Sequence, residues 1–247
     1  MPGVRAKVCV IIWRGGRRVP AGSATLSALA RAESREREER RLLVAYTSGD
    51  MSEKPQPPSV VVLGGPNGAG KSTAAPRLLR GALRVDEFVN ADTLAAGLSA
   101  FHPEAAALEA GRLMLRRLDH LAASRRSFAC ESTLASLALA KRLHRWRATG
   151  YQIHVVFLWL PDVDLALARV RLRVLGGGHN VPPETIARRF ERGRRNFFER
   201  YTAVANTWRL YDATGTGAPS LVATGSSDGR RRVLHRAILE RAVGETP

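Results

Sequence analysis

The chain has 247 residues, 45% of them hydrophobic and 25% charged, the proportions of an ordinary globular protein of one domain, or of one domain with extensions. No apolar run approaches the about 20 residues of a membrane helix. Cys9 and Cys130 are too few for a disulfide scaffold, and no Cys/His spacing matches a zinc site. These exclusions lead to the expectation of a cytoplasmic protein with no membrane association.

The formal charge is +17, yet Lys7, Lys54, Lys71 and Lys141 are the only lysines among 39 basic residues. So strong an arginine bias reads as codon usage in a GC-rich genome. A nucleic-acid footprint would cluster base on one face, interleaved with aromatics, and aromatics are only 6%. Specific nucleic-acid binding is therefore not expected.

In chain order, residues 1 to 57 differ from the rest. A charged run from Arg31 to Arg41 offers little to bury, and Ser-Gly-Asp-Met-Ser-Glu-Lys-Pro-Gln-Pro-Pro has linker composition. Residues 1–57 are expected to be a poorly ordered or loosely packed extension, with Met51 a candidate translation start, and 58–247 to be the folded domain. From Ser59 strands alternate with helices. Expected strands are Ser59–Leu63, a short one ending near Asn90, Phe128–Glu131, Ile153–Leu160, Trp208–Tyr211 and Leu221–Thr224. Expected helices are one opening after the glycine turn, then Thr93–Leu98, Pro103–Ala123, Leu134–Thr149, Val163–Val174, Pro183–Tyr201 and Val233–Val243. This alternation predicts an α/β fold with a mainly parallel sheet and helices on both faces.

The strongest local signal is Gly65-Pro66-Asn67-Gly68-Ala69-Gly70-Lys71-Ser72-Thr73. It fits G-x-x-x-x-G-K-[ST] directly after a strand and opening a helix, the context that motif requires. Glycines let backbone N–H groups point around phosphate oxygens. Lys71 supplies a compact charge, and Ser72 a hydroxyl for Mg²⁺. In so arginine-rich a chain, lysine here marks a place where a point charge fits and a planar fork does not. The segment predicts binding of a nucleoside triphosphate.

In such a sheet ligands lie beyond the carboxyl ends of the strands, where Asn90-Ala91-Asp92 and Glu131-Ser132-Thr133 stand. Asp92 reads equally well as a base or holder of the Mg²⁺ water shell and as an N-cap for the helix at Thr93. Ser132 or Thr133 would cap the helix from Leu134. No apolar strand ends in a Walker B Asp, since Val155–Leu160 runs into Pro161-Asp162. Magnesium then falls to Ser72, phosphates and water, with Asp92 nearby. Arg169 and Arg173 share a helix face, as do Arg188 and Arg192, with Arg189 beside them. Helices joined by a Gly-rich linker could carry two or three of these guanidinium groups onto a triphosphate as a lid. His179 in that linker reads more readily as a loop-fixing group than as a base.

Together these motifs resemble the zeta-toxin-like P-loop kinases over about Ser59 to Asp212, including Val156–Leu160, Arg169-Val170, Arg173-Val174, Gly177-Gly178-His179-Asn180, Ile186–Phe190 and Trp208–Asp212. The resemblance implies a three-layer P-loop kinase fold with an arginine-bearing lid. It also implies transfer of the γ-phosphate of ATP, with Mg²⁺, to a small-molecule hydroxyl. In zeta toxins the acceptor is a UDP-amino sugar such as UDP-N-acetylglucosamine, and a protein antitoxin is the expected partner. By the same resemblance Lys71, Asp92, Arg173 and Arg189 are expected to be catalytic, Asp92 as base and the two arginines on the phosphates (a role Arg169 or Arg188 could also take), while Asn90, Glu131 and Thr133 are expected to bind the acceptor. Two other readings stay open: a kinase acting on an antibiotic or a nucleic-acid 5′-hydroxyl, and an ATP-switched interaction module.

Overall fold

Four consecutive apolar residues, Val60 to Leu63, are each at most 1% exposed, and they form the strand on which the rest of the sheet is built. The computed structural model describes residues 57–247 apart from 83–84, 86, 101, 103–104, 179 and 245–247, together with 11–14 and 17–20. Two units divide the chain, Met1–Ser52 and Glu53–Pro247. In the first, strands β1 (Ile11–Arg14) and β2 (Arg17–Pro20) pair antiparallel. The charged run 31–41 and Met51 lie outside the described residues.

The second unit carries β3 (Ser59–Gly64), α1 (Lys71–Ala82), β4 (Phe88–Val89), α2 (Ala91–Leu98), α3 (Ala107–Ala123), β5 (Phe128–Ser132), α4 (Leu137–Ala148) and β6 (Gln152–Trp159). There follow α5 (Val163–Leu175), α6 (Pro183–Asn196), a π-helical turn Phe197–Tyr201, a helical turn Thr202–Val204, β7 (Thr207–Asp212), β8 (Ser220–Ser226), β9 (Arg231–Val233) and α7 (Arg236–Val243). The sheet has seven strands in the order β4-β5-β3-β6-β7-β8-β9. The β4-to-β7 part is parallel, and β8 and β9 are antiparallel.

Side chains alternate between faces along a strand. Val60, Val62, Ile153, Val155 and Phe157 join one core cluster with Leu118, Leu121, Leu139 and Leu143 of α3 and α4. Val61, Leu63, Val156 and Leu158 point the other way and are also buried. Both faces are therefore covered, which is why these strands read as continuous apolar runs. Aromatic contacts fix the core: Phe157 stacks on Phe197 at 4.6 Å, and Phe128 meets Trp146 edge-on at 5.4 Å.

Register places the site. In β3 and β5, Leu63 is opposite Glu131 and Gly64 opposite Ser132, while in β4 Val89 is opposite Cys130. The carboxyl ends of three neighbouring strands thus lie side by side. The chain passes from β5 across to β6 on the far side of β3, which makes this a topological switch point.

Several boundaries differ from the sequence expectation. The helix expected from Leu134 begins at Leu137, capped by Ser136, whose side chain accepts from the Ala138 N–H. Leu134 itself has φ 59, a conformation costing about 1–2 kcal/mol outside glycine. Three interactions hold it there: its N–H donates to Ser132 Oγ at 3.0 Å, its carbonyl accepts from buried Asn196 at 2.7 Å, and its side chain is fully buried. The long helix expected over Pro183–Tyr201 is α-helical only to Asn196. The closing helix starts at Arg236, because Arg231–Val233 adds an edge strand.

Candidate active site

The loop from Gly65 to Gly70 turns on glycines that no other residue could replace without strain. Gly65, Gly68 and Gly70 have φ 143, 78 and 78. A Cβ on Gly65 would meet the Leu158 carbonyl oxygen at 2.5 Å, and one on Gly68 the Ala166 oxygen at 2.8 Å. The loop is therefore wedged between the end of β6 and helix α5; the Ala69 N–H donates back to the Pro66 carbonyl at 3.2 Å, and a turn of this kind can cradle an anion on its other N–H groups. Lys71 opens α1 and is only 6% exposed; its Nζ donates to the Pro66 carbonyl at 2.9 Å. Asn67 is buried too, and its Oδ1 has no hydrogen-bond partner among the described residues.

Opposite the loop stands Glu131. Its Oε2 accepts from Ser72 Oγ at 2.8 Å and from Asn90 Nδ2 at 2.9 Å, and its Oε1 lies 3.6 Å from Lys71 Nζ. Burial lowers the Lys71 pKa, while the Glu131 and Asp92 carboxylates oppose that shift and Arg173 reinforces it. One ammonium thus feels both carboxylates and the Arg173 guanidinium.

Asp92 is not the helix cap. Asn90 caps α2, its Oδ1 accepting from the Asp92 N–H at 2.7 Å. This leaves the Asp92 carboxylate in the first turn, exposed toward the site. Both ends of the Asn90 amide are committed, one to the helix that carries Asp92 and the other to Glu131. Asp162, after β6, is likewise a cap: its carboxylate accepts from the Leu165 N–H at 2.7 Å.

The arginines separate into three kinds. Arg169 is clamped to backbone, donating to the carbonyls of Ala213, Thr214 and Gly215 at 2.7, 2.7 and 3.0 Å. Arg173 and Arg189 are half-buried and coupled to the site, Arg173 to Lys71 and Arg189 to Asp92. Partial burial lowers the Arg189 pKa, with Asp92 pulling it back up and Arg188 lowering it further. Arg188 and Arg192 are exposed. Helix α6 reaches the site at Gly193, where a Cβ would lie 2.2 Å from the Thr133 carbonyl oxygen. Thr133 is half-buried in that same turn. His179 lies outside the described residues.

The structure therefore gathers Lys71, Ser72, Asn90, Asp92, Glu131, Arg173 and Arg189 at one end of the sheet. Sequence reasoning missed the Ser72–Glu131 contact and the capping role of Asn90. Signals for both existed: Phe128-Ala129-Cys130-Glu131 is an apolar strand ending in an acid, and Asn is as good an N-cap as Asp. The arrangement offers an anion cradle, a buried cation, an exposed carboxylate and two inward guanidinium groups. Those are the parts needed to hold a polyphosphate and to accept a proton beside it.

Comparison with known proteins gives the family and the fold. The family model described as Zeta toxin matches residues 44–215. An uncharacterized protein of Haemophilus influenzae is 26% identical over 126 residues, which cover 51% of this chain and 88% of that protein. Among solved structures, a chain of the AvrRxo1-ORF1:AvrRxo1-ORF2 complex with sulphate ions has a TM-score of 0.60 at 17% identity. That match covers 75% of this chain and 63% of the other. The same complex with ATP gives a TM-score of 0.59 at 18% identity, again covering 75% and 63%. This chain thus spans less than two thirds of the AvrRxo1 chains it matches, and at such identity the likeness is one of α/β fold. Among the described residues no helix is long and apolar enough to cross a membrane.

Proposed function

Because this chain belongs to the zeta toxin family, we propose that it is a kinase moving the γ-phosphate of ATP to a small-molecule hydroxyl, with a UDP-amino sugar such as UDP-N-acetylglucosamine as the first acceptor to test. The observation that carries this reading is buried Lys71 at the mouth of the glycine loop, its Nζ donating to the Pro66 carbonyl at 2.9 Å and lying 3.6 Å from the Glu131 carboxylate that receives the Ser72 hydroxyl. ATP in one of the AvrRxo1 complexes adds support for the same nucleotide here.

The loop Gly65, Pro66, Asn67, Gly68, Ala69, Gly70 and Thr73 would wrap the phosphates, with Lys71 as their point charge. Asp92 takes the proton of the acceptor hydroxyl as its oxygen bonds to Pγ. The Pβ–O–Pγ bridge then breaks and ADP leaves with the electron pair. Arg173 and Arg189 offset the charge that spreads over the transferring group, and Asp92 returns its proton to water. Thr133, in the turn that Gly193 packs against, faces the acceptor. Asn90 keeps Asp92 aimed.

The donor set suits magnesium. Ser72 and Glu131 supply hard oxygens, and among the described residues no group of three or more His, Cys, Asp or Glu could hold a metal by itself. Mg²⁺ binds in that manner, by few protein oxygens with substrate phosphates and water completing its shell. When bound it would neutralise and orient the β- and γ-phosphates; Ser72 is the residue proposed to hold it. Family membership also supports a protein antitoxin as partner.

The test is an acceptor panel with γ-labelled ATP and Mg²⁺, products resolved by mass. It includes UDP-amino sugars, hydroxyl-bearing antibiotics and a 5′-hydroxyl oligonucleotide. A phosphorylated UDP-amino sugar is the expected product. Label on the oligonucleotide alone would move the acceptor to a nucleic-acid end, and tight ATP binding with no transfer would favour a nucleotide-switched module.

A further inference from the structure

Helix α5 runs out into Gly176, Gly177 and Gly178, and the last two are glycine for different reasons. Gly176 is the C-cap. The Gly177 N–H donates to the Val174 carbonyl and the Gly178 N–H to the Arg173 carbonyl, each at 2.9 Å. These two bonds make a Schellman motif, which wants a left-handed residue directly after the cap. Gly177 is that residue, with φ 83, and nothing lies within 4 Å of where its Cβ would be. Gly178 has no positive φ, so its backbone alone does not call for glycine. What calls for it is Arg173. A Cβ on Gly178 would lie 2.6 Å from Arg173 Cγ, 2.9 Å from the Arg173 carbonyl oxygen and 3.3 Å from Cδ. In a Schellman motif the residue at the place of Gly178 commonly packs its side chain on the residue at the place of Arg173. Here the stem of the arginine takes that space instead.

We propose that Gly178 is a positioning residue for Arg173: the side chain it lacks is the space in which the Arg173 stem lies, and this packing aims the guanidinium at the phosphate loop. Helix α5 runs along that loop, since a Cβ on Gly68 would meet the Ala166 carbonyl oxygen and Arg169 Cβ. Arg173 lies one helical turn beyond Arg169 on the same face. Its side chain is half-buried, with Nε enclosed, and its charge is felt at Lys71. Because the guanidinium sits at the far end of the stem, a shift forced at Cγ is amplified at the head. The glycine linker thus does more than join α5 to α6.

This inference rests on the kinase reading, and its test separates the two. Transfer from γ-labelled ATP to a responsive acceptor is measured on the full chain for wild type, Gly178→Ala, Arg173→Ala and the double variant, with a thermal melt of each. Gly177→Ala is the control. Gly178→Ala is expected to lower kcat about 10–100-fold, the effect of misplacing a group at the reacting centre by about 1 Å, with acceptor KM within about twofold of wild type. In the Arg173→Ala background the same substitution should change kcat less than about twofold, because the stem and its guanidinium are gone. Gly177→Ala should do the reverse, melting about 2–8 °C lower through its left-handed backbone while kcat stays near wild type. Wild-type kcat in Gly178→Ala overturns the inference, as does an equal loss in the Arg173→Ala background or in Gly177→Ala. Should Gly178→Ala fail to melt cooperatively, a cooperative melt regained in the Arg173→Ala background upholds the inference, and none regained overturns it. Wild type that transfers phosphate to no acceptor overturns the kinase reading itself, and this inference with it.

Discussion

Arg188 and Arg189 are neighbours in sequence, yet the fold gives them different surroundings. Arg189 is half-buried and coupled to Asp92, while Arg188 is exposed. Arg189→Gln is therefore expected to lower kcat about 10²–10³-fold, the effect of removing one preorganised donor to a developing charge. Arg188→Gln should change it less than about twofold, and steady-state kinetics of the pair checks the contrast. Helical spacing could not separate them, because i,i+4 periodicity says which arginines share a face but not which face meets the site. The same gap explains Arg169. Its partners, the carbonyls of Ala213 to Gly215, lie some 44 to 46 residues away, and nothing local announces them. The phosphate loop was legible because its chemistry is contained in nine adjacent residues.

At the scale of elements, strand β5 and helix α6 are joined through one glycine. Gly193 lets α6 approach the turn after β5 so closely that a methyl group would lie 2.2 Å from the Thr133 carbonyl oxygen. Gly193→Ala must push the helix away, at a cost of about 1–3 kcal/mol by analogy with overpacked cores. A thermal melt should show that loss, and acceptor KM should rise because Thr133 and Arg189 ride on the two displaced pieces. The start of α4 teaches the complementary lesson. Its position depends on the left-handed Leu134, which is held by Asn196 from 62 residues away, so local capping signals at Ser132 and Thr133 pointed to the wrong turn. Strand β9 was equally unreadable: Arg231-Arg232-Val233 is exposed at the sheet edge and carries no apolar alternation. Central strands, buried on both faces, were legible from their apolar runs alone.

The molecule as a whole should lose stability in mild acid through a residue far from the chemistry. His154 is buried on central strand β6, its Nδ1 hydrogen-bonded to Thr207 Oγ1 at 2.9 Å. Burial, helped by Arg209, lowers its pKa from 6.5 to about 4. As pH falls below 6.5 the unfolded chain takes up this proton first, so stability present above pH 6.5 drains away until pH reaches about 4. The loss is about 3 kcal/mol if the full shift is expressed. Denaturant titrations at pH 7 and pH 4.5 should show it, and His154→Gln should flatten the difference. The central claim, however, is that Asp92 takes a proton while γ-phosphate moves to a hydroxyl. The most direct measurement is single-turnover transfer from γ-labelled ATP to a responsive acceptor by wild type and Asp92→Asn, with nucleotide affinity measured on the same samples. The account predicts transfer slowed about 10²–10⁴-fold with ATP affinity nearly unchanged. Transfer at the wild-type rate in the variant would contradict it.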